Sequence, residues 1–190
     1  MRKNIVCMFM ALVMVLSMGT VLAEQAVSSV TIAELVKPAD TTYDEGFTVF
    51  VTTLKPETTQ MVVFEELAES AKAGQSAEEY FGEEVMKAAS AVVAEGVELA
   101  NLQLDEFFPI EVAGYQAEYG AVEATFQFAT EYAEGTVLVA MVGIVAADGT
   151  VTWIPLQAEV VEGKVQIAFT EEALEKMAEN TTVLALLRAA

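Results

Sequence analysis

The segment AADGTVTWIPLQAEVVEGKVQIAFT, residues 146–170, contains two short turns that separate apolar runs. Asp148-Gly149 and Glu162-Gly163 have the composition of two-residue hairpin turns, which need residues that tolerate positive φ. The pattern therefore predicts three consecutive antiparallel strands. The first of these strands lies in the apolar run TVLVAMVGIVAA, whose continuous apolar character is typical of a strand covered on both faces.

Trp153, the single tryptophan of the chain, lies in the middle strand of this segment. We expect it to be a core residue that packs across neighbouring strands. The alternative is a partly exposed ligand platform, because an indole ring combines a large apolar area with a polar N–H. Trp153 is therefore kept as a candidate binding residue. The apolar phase also changes between Trp153 and Ile154, which predicts a bulge near Pro155.

Strand and helix patterns also occur before this segment. The run AVEATFQFAT, residues 121–130, alternates apolar and polar residues with the period of two that is typical of a half-buried strand. Two helical patterns precede it, at residues 56–74 and residues 76–93. In the second, Ser76 and Glu79 have the spacing of a capping box, in which each side chain satisfies a free backbone N–H at the helix start.

The remaining elements complete the predicted fold. Residues 46–54 have a strand pattern, Thr170 can cap a short helix at residues 171–179, and residues 181–189 form a last apolar strand. We predict an α+β fold. Its C-terminal part is an antiparallel β-sheet or a sandwich-like arrangement, packed with two N-terminal helices and one short late helix.

The segment DEFFPIEVAGYQAEYG, residues 105–120, is the best candidate for a recognition surface. It contains Tyr115 and Tyr119 close to acidic residues, and tyrosines are favoured at interfaces because they join apolar area to a polar tip. The alternative is that its phenylalanines plug one end of the core, as large aromatic residues mostly do. Pro109 argues against a central strand here, because proline cannot donate to a ladder of hydrogen bonds.

The N-terminus has the order of parts of a secretory signal peptide: a basic start, an apolar run and an exit of small residues. We predict a signal peptide at residues 1–23, a flexible lead-in at residues 24–45 and a single domain at residues 46–190. The alternative is an uncleaved membrane anchor. Cleavage would make the protein secreted and would remove Cys7, the only cysteine, so that no disulfide or thiolate site could form.

Acidic residues dominate the charge of the chain: 29 acidic against 9 basic residues give a net charge of −20. Such a surface repels nucleic-acid phosphates and anionic lipid heads, so we expect neither nucleic acid nor membrane as a partner of the cleaved form. The expected partner is a protein or a glycan, and a cationic one would complement the charge. The high apolar content, 54%, argues against disorder.

Several chemistries are excluded by composition. The chain has no histidine, which removes the commonest general base and the commonest metal ligand. No nucleotide-binding glycine motif occurs either, so we predict no catalytic, cofactor-binding or metal-binding residues. Carboxylate chemistry is what composition leaves open. The alternative to a binding domain is therefore a carboxylate-dependent hydrolase acting on extracellular glycans, which needs two carboxyl groups facing each other across a cleft.

Three segments, AEEYFGEEV, LDEFFPIEVAGYQAEYG and DGTVTWIPLQAEVVEGKVQIAFTEEALEKM, resemble small uncharacterised secreted proteins of Gram-positive gut bacteria. The resemblance implies a location and a domain type, and it carries no catalytic residue. Together with the composition, it leads us to expect a secreted, non-catalytic binding or interaction domain that works at the bacterial cell surface or outside the cell.

Overall fold

The structure is a computed structural model that describes residues 30–36, 42–93, 99, 102–129 and 131–189. The predicted signal peptide at residues 1–23 lies outside the described residues, and so do residues 24–29 and 37–41 of the predicted lead-in. Within the described part of the chain, no helix is both long enough and apolar enough to cross a bilayer.

Eight strands and four helices make up the described fold. The strands are β1 (Val30–Val36), β2 (Thr48–Val51), β3 (Leu102–Ala113), β4 (Val122–Phe128), β5 (Leu138–Val145), β6 (Val151–Val161), β7 (Lys164–Phe169) and β8 (Thr181–Ala189). The helices are α1 (Thr59–Lys72), α2 (Ala77–Phe81), α3 (Glu83–Ala89) and α4 (Glu171–Glu179).

The strands form one antiparallel sheet in the order β1-β4-β7-β6-β5-β8-β3-β2. The two end strands, β1 and β2, approach each other within 8 Å between Cα atoms, so the sheet curls into a nearly closed barrel. The α+β class with an antiparallel sheet is thus confirmed, whereas the sandwich-like arrangement is not. A sandwich needs two sheets, but here the early strands β1 to β3 join the same sheet as the late strands.

The barrel encloses the larger of two apolar cores. Inward side chains of β4, β5, β7 and β8 fill it, and α4 adds Ala173, Leu174 and Met177 from one end. The predicted alternation in β4 is confirmed, because every second residue from Val122 to Phe128 is buried in this core. The interior is therefore occupied by the protein's own side chains.

The second core lies outside the barrel, where α1, α2 and α3 cover β3, β5 and β8. In β8, Leu184 and Leu186 point into the barrel while Val183 and Ala185 point to the helices, which explains why the whole strand is apolar. The same holds for β5, as its continuous apolar run predicts. The helices leave the outer face of β1, β4 and β7 without a cover of this kind.

The segment of residues 146–170 folds into two hairpins. Glu162 (φ 52°) and Gly163 (φ 76°) form the expected two-residue turn between β6 and β7. The other loop has three residues instead of two, because the bonded pair that closes it is Ala146 and Thr150, whose N–H···O distance is 2.9 Å. Gly149, at φ 88°, supplies the positive φ that this loop needs.

The predicted bulge near Pro155 is wrong. β5 and β6 pair in continuous register from Leu138 opposite Ala158 to Val145 opposite Val151. The apolar phase changes because β6 is covered on different faces along its length. Its first residues, including Trp153, pack outside the barrel, and the following ones, beginning at Ile154, pack inside it.

Pro109 does lie within a strand, contrary to the sequence interpretation. It pairs with Val183 of β8, and its carbonyl oxygen accepts a hydrogen bond from Thr52 N–H at 3.1 Å. N and O of one strand residue point to the same side, so the proline nitrogen faces the end of β2, where the ladder stops. The missing N–H therefore leaves no gap in the pairing with β8.

The helix boundaries follow their capping residues. Thr58 caps α1, which therefore begins at Thr59, and the predicted capping box of Ser76 and Glu79 is confirmed at α2. Gly82, at φ 90°, separates α2 from α3, so the second predicted helix is two short helices. Inside the predicted lead-in, Val30–Val36 form a strand that the sequence interpretation did not include.

Candidate binding surface at one end of the barrel

The connections at one end of the barrel bring the candidate tyrosines together. Because neighbouring strands are antiparallel, residues 42–47, 114–121, 146–150 and 170–180 all lie at the same end, which also holds α4. We call it the α4 end. The connections after β4 and β6 lie at the opposite end, whereas the long connection after β2 carries α1, α2 and α3 along the outside of the barrel.

Four aromatic residues form a cluster at the α4 end, which we call the rim cluster: Tyr43, Phe47, Tyr115 and Tyr119. The Phe47 ring lies 5.1 Å from the rings of both Tyr43 and Tyr119, measured between centroids. Tyr43 and Phe47 are buried, whereas Tyr115 and Tyr119 are half-buried. The structure therefore brings the two predicted tyrosines together and adds two aromatic residues that the sequence analysis did not single out.

Hydrogen bonds fix the rim cluster to both of its segments. Tyr115 Oη donates to the carbonyl oxygen of Gly120 at 2.9 Å, which closes the β3–β4 connection on itself. Asp44 N–H donates to Tyr119 Oη at 3.2 Å, and Gln116 Nε2 donates to Asp44 Oδ2 at 2.6 Å. These two bonds join the segment before β2 to the β3–β4 connection, so the rim is held in one arrangement.

The two segments also touch through their backbones. A Cβ atom added at Gly114 would lie 2.4 Å from the carbonyl oxygen of Gly46, closer than real contacts allow. Gly114 also has φ 71°, in the left-handed region that favours glycine. The close approach thus depends on glycine at this position, and it is the reason why residues separated widely in sequence can share the rim.

Carboxylates dominate the charge of the described residues at the α4 end. The described residues of the four connections carry one basic side chain, Lys176, whose Nζ is 2.6 Å from Glu172 Oε1. Burial raises the pKa of Tyr115, and the nearby charges of Glu171 and Glu175 raise it further. Against the single lysine stand eight exposed acidic residues: Asp44, Glu45, Glu118, Asp148, Glu171, Glu172, Glu175 and Glu179.

The opposite end of the barrel has a different polar arrangement. Asp105 lies at a bulge in β3, and its Oδ2 accepts a hydrogen bond from Tyr132 Oη at 2.5 Å. Its Oδ1 forms an ion pair with Arg188, whose Nη2 lies 2.9 Å away. Burial, followed by the hydrogen bond to Asp105, raises the pKa of Tyr132. Glu106 is buried beside them. The adjacent acids Asp105 and Glu106 are therefore part of a packed, hydrogen-bonded end.

Trp153 lies away from the rim cluster and is half-buried between the helices and the sheet, against the second core. Its ring is 4.9 Å from that of Phe81 and 6.4 Å from that of Tyr80, and the three form what we call the helix–sheet cluster. A Cβ atom at Gly143 would lie 2.7 Å from Trp153 Cζ3, so the indole rests directly on the backbone of β5. Burial raises the pKa of Tyr80 to about 12, with a smaller contribution from Glu66.

Two surface depressions accompany these features. One, of about 280 Å³, lies at the α4 end and is lined by Thr59, Val145, Ala146, Ala147, Glu179, Asn180 and Thr181. The other, of about 50 Å³, lies on the outer face of the sheet. In the part of the chain that the structure describes, no three acidic side chains are grouped so that they could hold a metal ion.

Comparison with protein-family models, curated proteins and solved structures finds no match to this chain. The resemblance to secreted proteins of gut bacteria therefore stays a prediction from the sequence. The charge and geometry of the described residues are what bear on function.

Proposed function

We propose that the protein is a secreted, non-catalytic binding domain that recognises a basic protein partner through its α4 end. The observation that carries the proposal is that the described residues of the four connections at the α4 end carry eight exposed carboxylates and one lysine. A surface of this charge attracts a cationic partner over a distance set by the ionic strength. Tyr115 and Tyr119 add apolar area with polar tips to this end, which suits an interface.

Because the interior of the barrel is filled, a partner would have to bind at its outer surface. Side chains of the chain itself occupy that interior, from Phe108 and Phe126 to Leu174 of α4. A partner would therefore contact the connections and α4 at the rim. The bond between Asp44 and Tyr119 joins two of these connections, and a surface organised in this way loses little entropy when it binds.

The alternative, a glycan hydrolase that uses two carboxylates, has less support. Its acid pair would have to face a cleft that admits a sugar. Asp105 is instead occupied by Tyr132 and Arg188, and Glu106 beside it is buried. The acids at the α4 end are exposed to water, whereas the general acid of such an enzyme lies in an apolar pocket.

The test is binding of a lysine-rich peptide to the purified protein, measured by fluorescence anisotropy at several salt concentrations. The expected result is binding that weakens steeply as salt rises, because exposed charges are screened. Glu171→Gln with Glu175→Gln should weaken it about three- to tenfold, since exposed charge pairs contribute up to ~1 kcal/mol each.

The matched control is Glu131→Gln with Glu134→Gln, which removes the same charge from exposed positions at the opposite end. This variant should bind the peptide almost as the parent protein does. Equal losses in both variants would mean that the peptide responds to net charge alone and would overturn the assignment to the α4 end. Tighter binding of a neutral oligosaccharide than of the peptide would overturn the basic partner.

A further inference from the structure

β6 is paired along only part of its length on one side. It pairs with β5 from Val151 to Ala158, but with β7 only from Ala158 to Val161. Toward the α4 end, β7 separates from β6. Residues 151–156 of β6 therefore form an open edge inside the sheet order, with no described strand paired to them on that side, and Gln157 lies at the end of this edge, where the pairing with β7 stops.

The hairpin between β5 and β6 determines which backbone groups lie along this open edge. Ala146 and Thr150 are a hydrogen-bonded pair, and bonded and non-bonded pairs alternate along an antiparallel ladder. The residues at positions 151, 153, 155 and 157 consequently direct their N and C=O groups away from β5. Pro155 has no N–H, so the donors of the open edge are the N–H groups of Val151, Trp153 and Gln157.

The open edge differs chemically from the rest of the surface. Its sequence, VTWIPLQ, contains no charged residue although the chain carries 29 acidic ones. Natural edge strands are commonly protected from pairing by charges, by proline or by a covering element. Here Pro155 is a protective residue within the edge itself, and α3 packs against β6 from the helix side. No described strand bonds to the donors on either side of Pro155.

A small acidic depression marks the point where β6 and β7 separate. Its volume is about 50 Å³, and two carboxylates line it, those of Glu123 and Glu159, together with Gln157, Gln166 and Ala168. Gln166 Nε2 donates to Glu123 Oε2 at 2.7 Å, which holds one carboxylate at the wall. The charged end of a basic side chain complements this lining, because the lining contains two negative charges and no positive one.

We propose that an extended, basic segment of a partner protein adds to the open edge of β6 as an extra strand and inserts a lysine or arginine side chain between Glu123 and Glu159. The backbone of such a segment would pair with Val151, Trp153 and Gln157, and added strands of this kind gain their affinity from main-chain hydrogen bonds. This inference rests on the proposed function in taking the partner to be basic. It goes further because it specifies that the partner binds as a β-strand and that it pairs with β6.

The experiment uses the full protein and a peptide of about ten residues that alternates lysine and threonine, a composition that is soluble and favours strands. Amide hydrogen exchange, resolved by residue, is followed with and without the peptide. The expected result is that Val151, Trp153 and Gln157 become protected about tenfold or more, because their N–H groups gain partners. Thr152 N–H, which faces β5, serves as the internal reference and should change little.

Each outcome decides a different point. Peptide binding without protection at these three amides would overturn the added strand and leave the proposed function standing. Absence of any binding would overturn both. Protection by a serine–threonine peptide of the same length, equal to that given by the lysine peptide, would support the strand and overturn the basic side chain in the depression.

Two variants at Gln157 separate the backbone from the side chain. Gln157→Pro removes the edge donor without touching a bond to β5, and Gln157→Ala removes the side chain but keeps the N–H. Affinity for the lysine peptide should fall about three- to tenfold in the proline variant and stay unchanged in the alanine variant. A fall of this size corresponds to the loss of one hydrogen bond. Equal loss in both variants would overturn backbone pairing at this position. If the proline variant fails to fold, the exchange data on the parent protein still decide the proposal.

Discussion

The rim cluster and the helix–sheet cluster are built from the same kinds of aromatic ring but are held in different ways. In the rim cluster, the hydroxyl groups of Tyr115 and Tyr119 bond to the backbone, and carboxylates lie around the rings. In the helix–sheet cluster, Trp153 rests on Gly143 and packs edge-on against Phe81 under the helices. One cluster joins two connections at the surface, and the other joins a helix to the sheet.

The fold, more than the residue type, therefore decides what an aromatic side chain can do in this protein. Trp153 has the larger apolar area, but contacts on both sides occupy most of it. The tyrosines are smaller, yet part of each ring stays accessible beside negative charge. Changes in the helix–sheet cluster should therefore reduce stability, whereas changes at the rim should act mainly on binding.

The largest effect is expected for Phe81→Ala. Phe81 is buried against Trp153, and its removal leaves a cavity that should lower the free energy of unfolding by about 3–5 kcal/mol. Urea unfolding measures this loss. The emission of Trp153, the only tryptophan, should also shift to longer wavelength in the folded variant. An unchanged emission and midpoint would contradict the packing of the helix–sheet cluster.

Gly143→Ala should have the next largest effect. The added Cβ would meet Trp153 Cζ3 at 2.7 Å and Val183 Cγ2 at 2.8 Å, and overpacking of this kind costs about 1–3 kcal/mol. The matched control is Gly46→Ala, because a Cβ there meets nothing within 4 Å. Comparable unfolding midpoints for the two variants would argue against the packing of the Trp153 indole on the backbone of β5.

Tyr80 should make the stability of the protein depend on pH in the alkaline range. Burial, and then the charge of Glu66, raises its pKa from 10.0 to about 12. The unfolded chain therefore loses this proton first, so the stability that the neutral phenol provides is complete below pH 10 and is lost as the pH rises toward 12. Tyr80→Phe should flatten the fall in urea midpoint over that window. An equally steep fall in the variant would exclude Tyr80 as its source.

The smallest effect is expected for Tyr115→Phe at the rim. The change removes one hydrogen bond to Gly120, with a cost of about 0.5–1.5 kcal/mol. Exchange of the amides at residues 114–121 should become faster while exchange in β6 stays unchanged. Loss of stability as large as that of Phe81→Ala would mean that the two clusters do not differ in the way described.

Local features of the fold could be predicted from the sequence because neighbouring residues determine them. The turn at Glu162-Gly163 depends on two residues with positive φ, and the capping box at Ser76 depends on a carboxylate three residues later. Alternation in β4 follows from one covered face. In each case the physical cause lies within a few residues of the element that it produces.

Features set by distant residues could not be predicted. The apolar change at Ile154 was interpreted as a bulge, but it reflects helices that cover the start of β6 from outside. Pro109 fits a strand because β2 ends beside it. The rim cluster could be predicted only in part. The contact of Tyr119 with Phe47 depends on the closure of the barrel, and no local sequence pattern predicts that closure.

The place of β8 in the sheet has a consequence for the order of events during synthesis. This strand is the last described one in the chain, yet it lies between β5 and β3. A growing chain that lacks residues 181–189 holds two groups of strands, β1-β4-β7-β6-β5 and β3-β2, with no strand to join them. The native sheet can therefore assemble only after that segment has emerged, and until then both apolar cores stay open to any chaperone that reaches the nascent chain.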